Sequence, residues 1–135
     1  MASQVVRQGK RSEEQNSEVI EMRAALARKI AAQVRTAGEK VTAIPGFRLY
    51  RRTAPTACNA ATYEPSLTVF VQGKKRINLG ETTYLCDESS FLLTSIDVPV
   101  VSQIVAASEA VPMLSMHLVL DMAVVRDILG QEEFH

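Results

Sequence analysis

At 135 residues the chain is long enough for one domain that buries roughly two-thirds of the surface its unfolded form exposes, so neither a disulfide nor a metal is required to hold it together. Its composition is 47% hydrophobic, yet no run of 18 apolar residues occurs and the polar, basic residues 1–12 lack an apolar core, which argues against a transmembrane helix and a signal peptide. Net charge is zero but unevenly spread: residues 41–80 carry six Lys/Arg against one Glu, residues 81–135 carry one against nine acidic residues, and no basic stripe of the kind a nucleic-acid surface needs runs along any helix.

Residues 1–12 are expected to be disordered, with a single domain over 13–135. Ser12, Glu13, Glu14 and Gln15 fit a capping box, after which Val19, Met22, Leu26, Ile30 and Val34 recur at spacings of three and four. This predicts a helix over 13–36, stopped by Gly38, whose stripe packs on its own domain rather than on a partner helix. From Ile44 the period shortens. Strands are predicted over 47–51, 67–72, 76–79, 82–86, 91–96, 100–107 and 113–120, with residues 53–66 left as a loop between Pro55 and Pro65. Lys74, Lys75 and Arg76 read as a solvated hairpin, where lysines discourage edge pairing. Short strands at this spacing, not alternating with helices, imply an antiparallel sandwich or barrel. Asp121 then caps a last helix over 122–129, with Val125 and Leu129 on one side.

Convergent chemistry is scarce. Cys58 and Cys86 have no C-x-x-C spacing and are expected to be free, inert thiols of a reducing cytoplasm. The histidines are His117 and His135, and no zinc-protease, nucleophile-elbow, phosphate-loop or dinucleotide motif is present. Asp87 and Glu88 are neighbours in a turn, where carboxylates are normally just solvated. Strand faces say more. Leu67, Val69 and Val71 share one face, as do Leu114, Met116, Leu118 and Leu120, and these purely apolar faces belong in a dry core or under a helix. The opposite faces are mixed. The plainer reading turns them to solvent; the alternative makes Thr68, Phe70, Gln72, Ser115 and His117 the wall of a ligand pocket, which wants apolar sides and a few placed polar groups. His117 alone cannot hold a metal. It fits a surface residue, a hydrogen-bonded core histidine or a ligand contact. Tyr50, Tyr63 and Tyr84 combine apolar bodies with polar tips suited to a small polar molecule, and are equally ordinary in sheets.

An ordered series of motifs now carries a resemblance. IPGFRLYR over 44–51, PSL over 65–67, VFVQGK over 69–74, INLG over 77–80, FLLTSIDVPV over 91–100, AASE over 106–109, Pro112 and LVLD over 118–121 together resemble the N-terminal regulatory domain of AraC-type bacterial transcription regulators, over about residues 13–130. The resemblance implies a mainly β fold: a cupin-like antiparallel β-barrel (double-stranded β-helix) with an N-terminal and a C-terminal helix. It implies a cytoplasmic homodimer that senses a small-molecule effector and governs an attached helix-turn-helix domain, expected beyond residue 135, through which alone DNA would be contacted. Cupin enzymes carry a histidine-rich metal motif, whereas residues 82–88 here read TTYLCDE. No metal, cofactor or catalytic residue is therefore expected, nor a membrane partner. The alternatives are a dimerisation-only module with a collapsed barrel and, further off, a metal-dependent cupin enzyme.

Overall fold

The computed structural model describes residues 6–10 and 17–133. The elements run β1 (Val6–Lys10), α1 (Ser17–Gln33), β2 (Gly38–Val41), β3 (Phe47–Arg52), β4 (Asn59–Tyr63), β5 (Ser66–Gln72), β6 (Lys74–Leu79), β7 (Thr82–Cys86), β8 (Ser90–Thr94), β9 (Val98–Ala106), β10 (Met113–Val119) and α2 (Met122–Glu133). A six-stranded sheet, ordered β1-β8-β5-β10-β3-β2, faces a four-stranded sheet, ordered β4-β9-β6-β7, and every pairing is antiparallel. The chain crosses repeatedly from one sheet to the other, so the result is the mainly β, cupin-like jelly roll expected from the sequence, with its wall split into two hydrogen-bonded sheets. No helix among the described residues is long and apolar enough to cross a membrane.

Three local expectations are corrected. Val6–Lys10, assigned to a disordered segment, form β1 and pair with β8. Here Gln8 anchors the strand by donating its amide to the Leu85 carbonyl and the Ser90 hydroxyl. Gly38 does not cap α1; it opens β2, an unforeseen strand that pairs with β3. Part of the expected loop at 53–66 is strand β4, paired with β9. Its sequence, NAATY, has too little apolar contrast to alternate visibly, and the partner strand supplies the order. The proposed capping box and the start of the helix at residue 13 lie outside the described residues, as do residues 1–5, 11, 12, 134 and 135.

Two apolar cores lie back to back. Between the sheets, Val6, Phe70, Ile77, Cys86, Leu92, Val98, Val100, Ile104 and Met113 are buried together. Outside the larger sheet, Ile30 and Val34 at the end of the α1 stripe pack with Leu49, Val71 and Leu114, flanked by Leu26, Val69 and Met116. The helix thus covers the predicted apolar faces of β5 and β10, and the stripe serves its own domain. Toward the start of α1 that cover ends: Ile20 and Met22 are well exposed. The Arg51 guanidinium donates to the Val34 carbonyl at 3.1 Å, satisfying one acceptor left open where the helix stops. At α2, Asp121 acts as predicted: its carboxylate accepts from the Ala123 and Val124 amides at 3.0 and 3.4 Å. α2 itself is loosely placed, with Val124, Ile128 and Leu129 each more than half exposed.

Gly73 is the corner where β5 of the larger sheet becomes β6 of the smaller. Its φ of +85° is one that side-chain-bearing residues avoid, and a Cβ there would lie 2.7 Å from the Met113 Cα. The pairing slips on both sides of this corner, between Lys74 and Lys75 on β6 and between Leu114 and Ser115 on β10. Each slip leaves an extra residue on the partner strand, Val105 on β9 and Val71 on β5.

Candidate functional site

A cavity of about 290 Å³ lies between the sheets, at the end of the interior that the apolar core leaves unfilled. β10 and β5 form one wall through Met113, Ser115, His117 and Val119 and through Thr68 and Phe70. β3 adds Arg48, Tyr50 and Arg52, which lie opposite His117, Ser115 and Met113 in the β3–β10 register. The smaller sheet closes the other side with Ala61, Tyr63, Lys75 and Ile104, and Glu64 follows β4 at the rim. The mixed strand faces therefore turn inward, and the reading that placed them in solvent is corrected. The reason is the outer helix: α1 already occupies the apolar faces, which leaves the alternate residues to line the interior.

Of the five side chains read as a pocket wall, Thr68, Phe70, Ser115 and His117 line this cavity together. Gln72 does not. It is the last residue of β5 before the Gly73 corner, and its amide donates to the Pro112 carbonyl at 2.8 Å. Tyr50 and Tyr63 join the lining, whereas Tyr84 packs against the apolar core. The three cations of the lining escaped the sequence reading. Arg48 and Arg52 sit on a strand where every residue outside the hydrophobic positions is Arg, so nothing marks the inward ones. Lys75 sits in a basic triplet read as solvated; Lys74 and Arg76 are exposed as expected, and Lys75 turns inward because it alternates with Ile77 and Leu79, which face the core between the sheets.

The groups are held in a definite arrangement. The Thr68 hydroxyl lies 2.8 Å from His117 Nδ1, a hydrogen bond across adjacent strands. The Tyr50 and His117 rings meet edge to face, 6.2 Å between centroids at 85°. The Arg52 guanidinium stands over the Tyr50 ring at 5.4 Å, and the Lys75 ammonium over the Tyr63 ring at 5.7 Å. Arg48 reaches the Glu39 carboxylate at 3.6 Å in a half-exposed pair worth little in stability. Burial pulls the His117 imidazole below its ordinary pKa; nearby Lys75 and Arg48 pull the same way, and Glu64 and Glu39 oppose them. The ring is neutral at pH 7. Burial, then the Glu39 carboxylate, pushes the Tyr50 phenol above its ordinary value, against the effect of Arg48. Tyr50 is therefore a neutral donor.

Chemically, the lining offers hydrogen-bonding, cationic and apolar groups to a small molecule. Among the described residues no three His, Cys, Asp or Glu side chains are grouped so as to hold a metal ion. Cys86 is buried in the apolar core and Cys58 is an exposed free thiol. A second hollow of about 480 Å³, between α1 and β5, is lined mainly by apolar residues, including Val19, Met22 and Leu26, with Arg23 and Lys29 beside them.

Residues 43–135 match the profile of a family described as "AraC-type transcriptional regulator N-terminus". None of the curated proteins matches the chain. Among solved structures, the chain is similar to a cupin-2 domain containing protein from Shewanella frigidimarina, at 8% identity and a TM-score of 0.48 over 75% of this chain and 99% of that one. It is also similar to the Cnp3 cupin domain of Schizosaccharomyces pombe, at 12% identity and a TM-score of 0.39 over 67% and 68%.

Proposed function

Since the chain belongs to the family of AraC-type transcriptional regulator N-termini, we propose that it is the effector-sensing domain of such a regulator, with the cavity between the sheets as the sensor site. The observation that carries this reading is the cavity itself. A dimerisation-only module is expected to have a collapsed barrel, whereas here Thr68 and Phe70 of β5 and Ser115 and His117 of β10 line one hollow. The volume is near the lower end for ligand sites and suits a small molecule. In this reading the domain is not a catalyst: His117 and Glu64 are the only imidazole and carboxylate in the lining, short of a catalytic metal's three protein ligands. The regulator acts as a homodimer, and the effector biases an attached helix-turn-helix domain by binding its two arrangements unequally.

A thermal-shift screen against sugars, organic acids, aldehydes, amino acids and divalent metals tests the reading. An effector at about 100 times its Kd stabilises by roughly 2.7 kcal/mol, which moves the midpoint of a domain this size by several degrees. The shift should shrink when Ser115→Leu fills the cavity. Stabilisation by metals alone would favour an enzyme. Silence across the organic panel, together with a concentration-dependent dimer, would favour the dimerisation module.

A further inference from the structure

The cavity's electrostatics narrow the ligand further. Its lining holds Arg48, Arg52 and Lys75 against the single carboxylate of Glu64. Arg48 is answered by Glu39. Arg52 and Lys75, both partly buried, have no acidic partner among the described residues. Arg52 donates to the Arg51 carbonyl at 3.2 Å, and each of the two cations stands over the face of a tyrosine, Tyr50 and Tyr63. A cation withdrawn from water without a counter-charge is unfavourable, and a ring quadrupole compensates only part of that cost. Fixed guanidinium and ammonium groups are the geometry that receives a carboxylate, the former through two parallel hydrogen bonds. The same lining offers apolar surface beside the cations, with Met113 next to Arg52 and Ile104 next to Lys75 in the strand registers, and Phe70, Val119 and the Ser115 hydroxyl completing it. At about 30 Å³ per water, the space equals roughly ten water molecules.

We infer that the sensor site takes a small organic acid, its carboxylate held by Arg52 and Lys75 and its hydrocarbon body laid on Phe70, Ile104 and Met113. The inference rests on the sensor reading above and assigns the charge class of its ligand. It can fail while that reading stands.

The test uses matched pairs that differ only in charge: hexanoate with hexanamide, and phenylacetate with phenylacetamide. The chain has two histidines, so the His117 ring signal in a proton NMR titration is assigned by its loss in His117→Gln. Binding of the acids should saturate, raise the His117 pKa by placing an anion in its cavity, and raise the unfolding temperature. The amides should bind at least about tenfold more weakly, the loss of one charge-assisted hydrogen bond. Arg52→Gln and Lys75→Gln should each weaken the acids by a similar factor, whereas Lys74→Gln, its exposed neighbour, should not. Arg52→Lys keeps the charge and guards against mistaking a folding defect for lost binding, with unfolding curves recorded for every variant. Amides that match the acids would overturn the charge assignment and leave the sensor intact. If Lys74→Gln weakened the acids as much as Lys75→Gln, the attraction would be diffuse surface charge and the proposed anchor wrong. Silence from acids and amides alike overturns the acid assignment; joined to a silent organic screen it removes the sensor reading too.

Discussion

Ser66 and Thr94 stand opposite each other on β5 and β8, both almost fully buried, and neither hydroxyl has a hydrogen-bond partner. An unsatisfied buried hydroxyl is destabilising, and a methyl of the same shape removes the problem. Thr94→Val should therefore raise stability by about 1 kcal/mol in denaturant unfolding; a loss of that size would mean the hydroxyl is satisfied after all. Gly73 is the opposite case. Alanine there meets both a positive φ and the Met113 backbone, so Gly73→Ala should cost more than about 1 kcal/mol, while alanine at Gly130, with open space around it, should be tolerated. His117 sets a pH dependence. Its folded pKa lies below the ordinary 6.5, so the unfolded chain binds more protons between the two values. Its contribution is intact above pH 6.5 and is lost as pH falls through that value toward the folded one. Below pH 6.5 the unfolding temperature of the native domain should fall more steeply than that of His117→Gln. Parallel curves would show that the ring is not desolvated.

At the scale of elements, α1 is held by the end of its stripe. Ile30→Ala and Leu114→Ala remove side chains from the same buried cluster and should each destabilise by about 2–5 kcal/mol. Met22→Glu, earlier on the helix and largely exposed, should change stability by less than about 0.5 kcal/mol. Chemical denaturation of the three variants separates them. Most of this architecture is legible in the chain because two periods are unambiguous: three-and-four spacing in α1, and alternation in β5 and β10. What stays hidden depends on partners. β1 and β2 are short edge strands ordered by β8 and β3, and β4 is too uniform to show a face. The site is half legible for the same reason. Alternation places Thr68, Phe70, Ser115 and His117 on common faces. Alternation with Ile77 and Leu79 also turns Lys75 inward, a signal masked by the charges on either side of it, whereas no local pattern says that the register slip between Phe70 and Gln72 interrupts the inner face of β5.

For the whole molecule, the uneven charge along the chain acquires a location. The cationic middle third supplies Arg48, Arg52 and Lys75 to one interior space. The packing is graded as well. The large sheet is covered by the small sheet on one side and by α1 on the other, whereas α2 leaves Val124, Ile128 and Leu129 more than half exposed. Amide hydrogen exchange should accordingly be slowest in β5 and β10, at the centre of the large sheet, and fastest in α2. Exchange from α2 as slow as from β10 would mean that the helix is clamped to the body.

β5 and β10 have no idle face. Along β5, Thr68 and Phe70 border the cavity while Val69 and Val71 carry α1; along β10, Ser115 and His117 border the cavity while Leu114 and Met116 carry α1. Neighbours in a strand are about 3.3 Å apart and point in opposite directions. The partition between the wet interior and the dry seat of the helix is thus a single layer of backbone. Thr68 and Ser115 on the inside each stand one residue from Val69 and Leu114 under the helix, so a displacement of either strand is shared by the cavity and by α1.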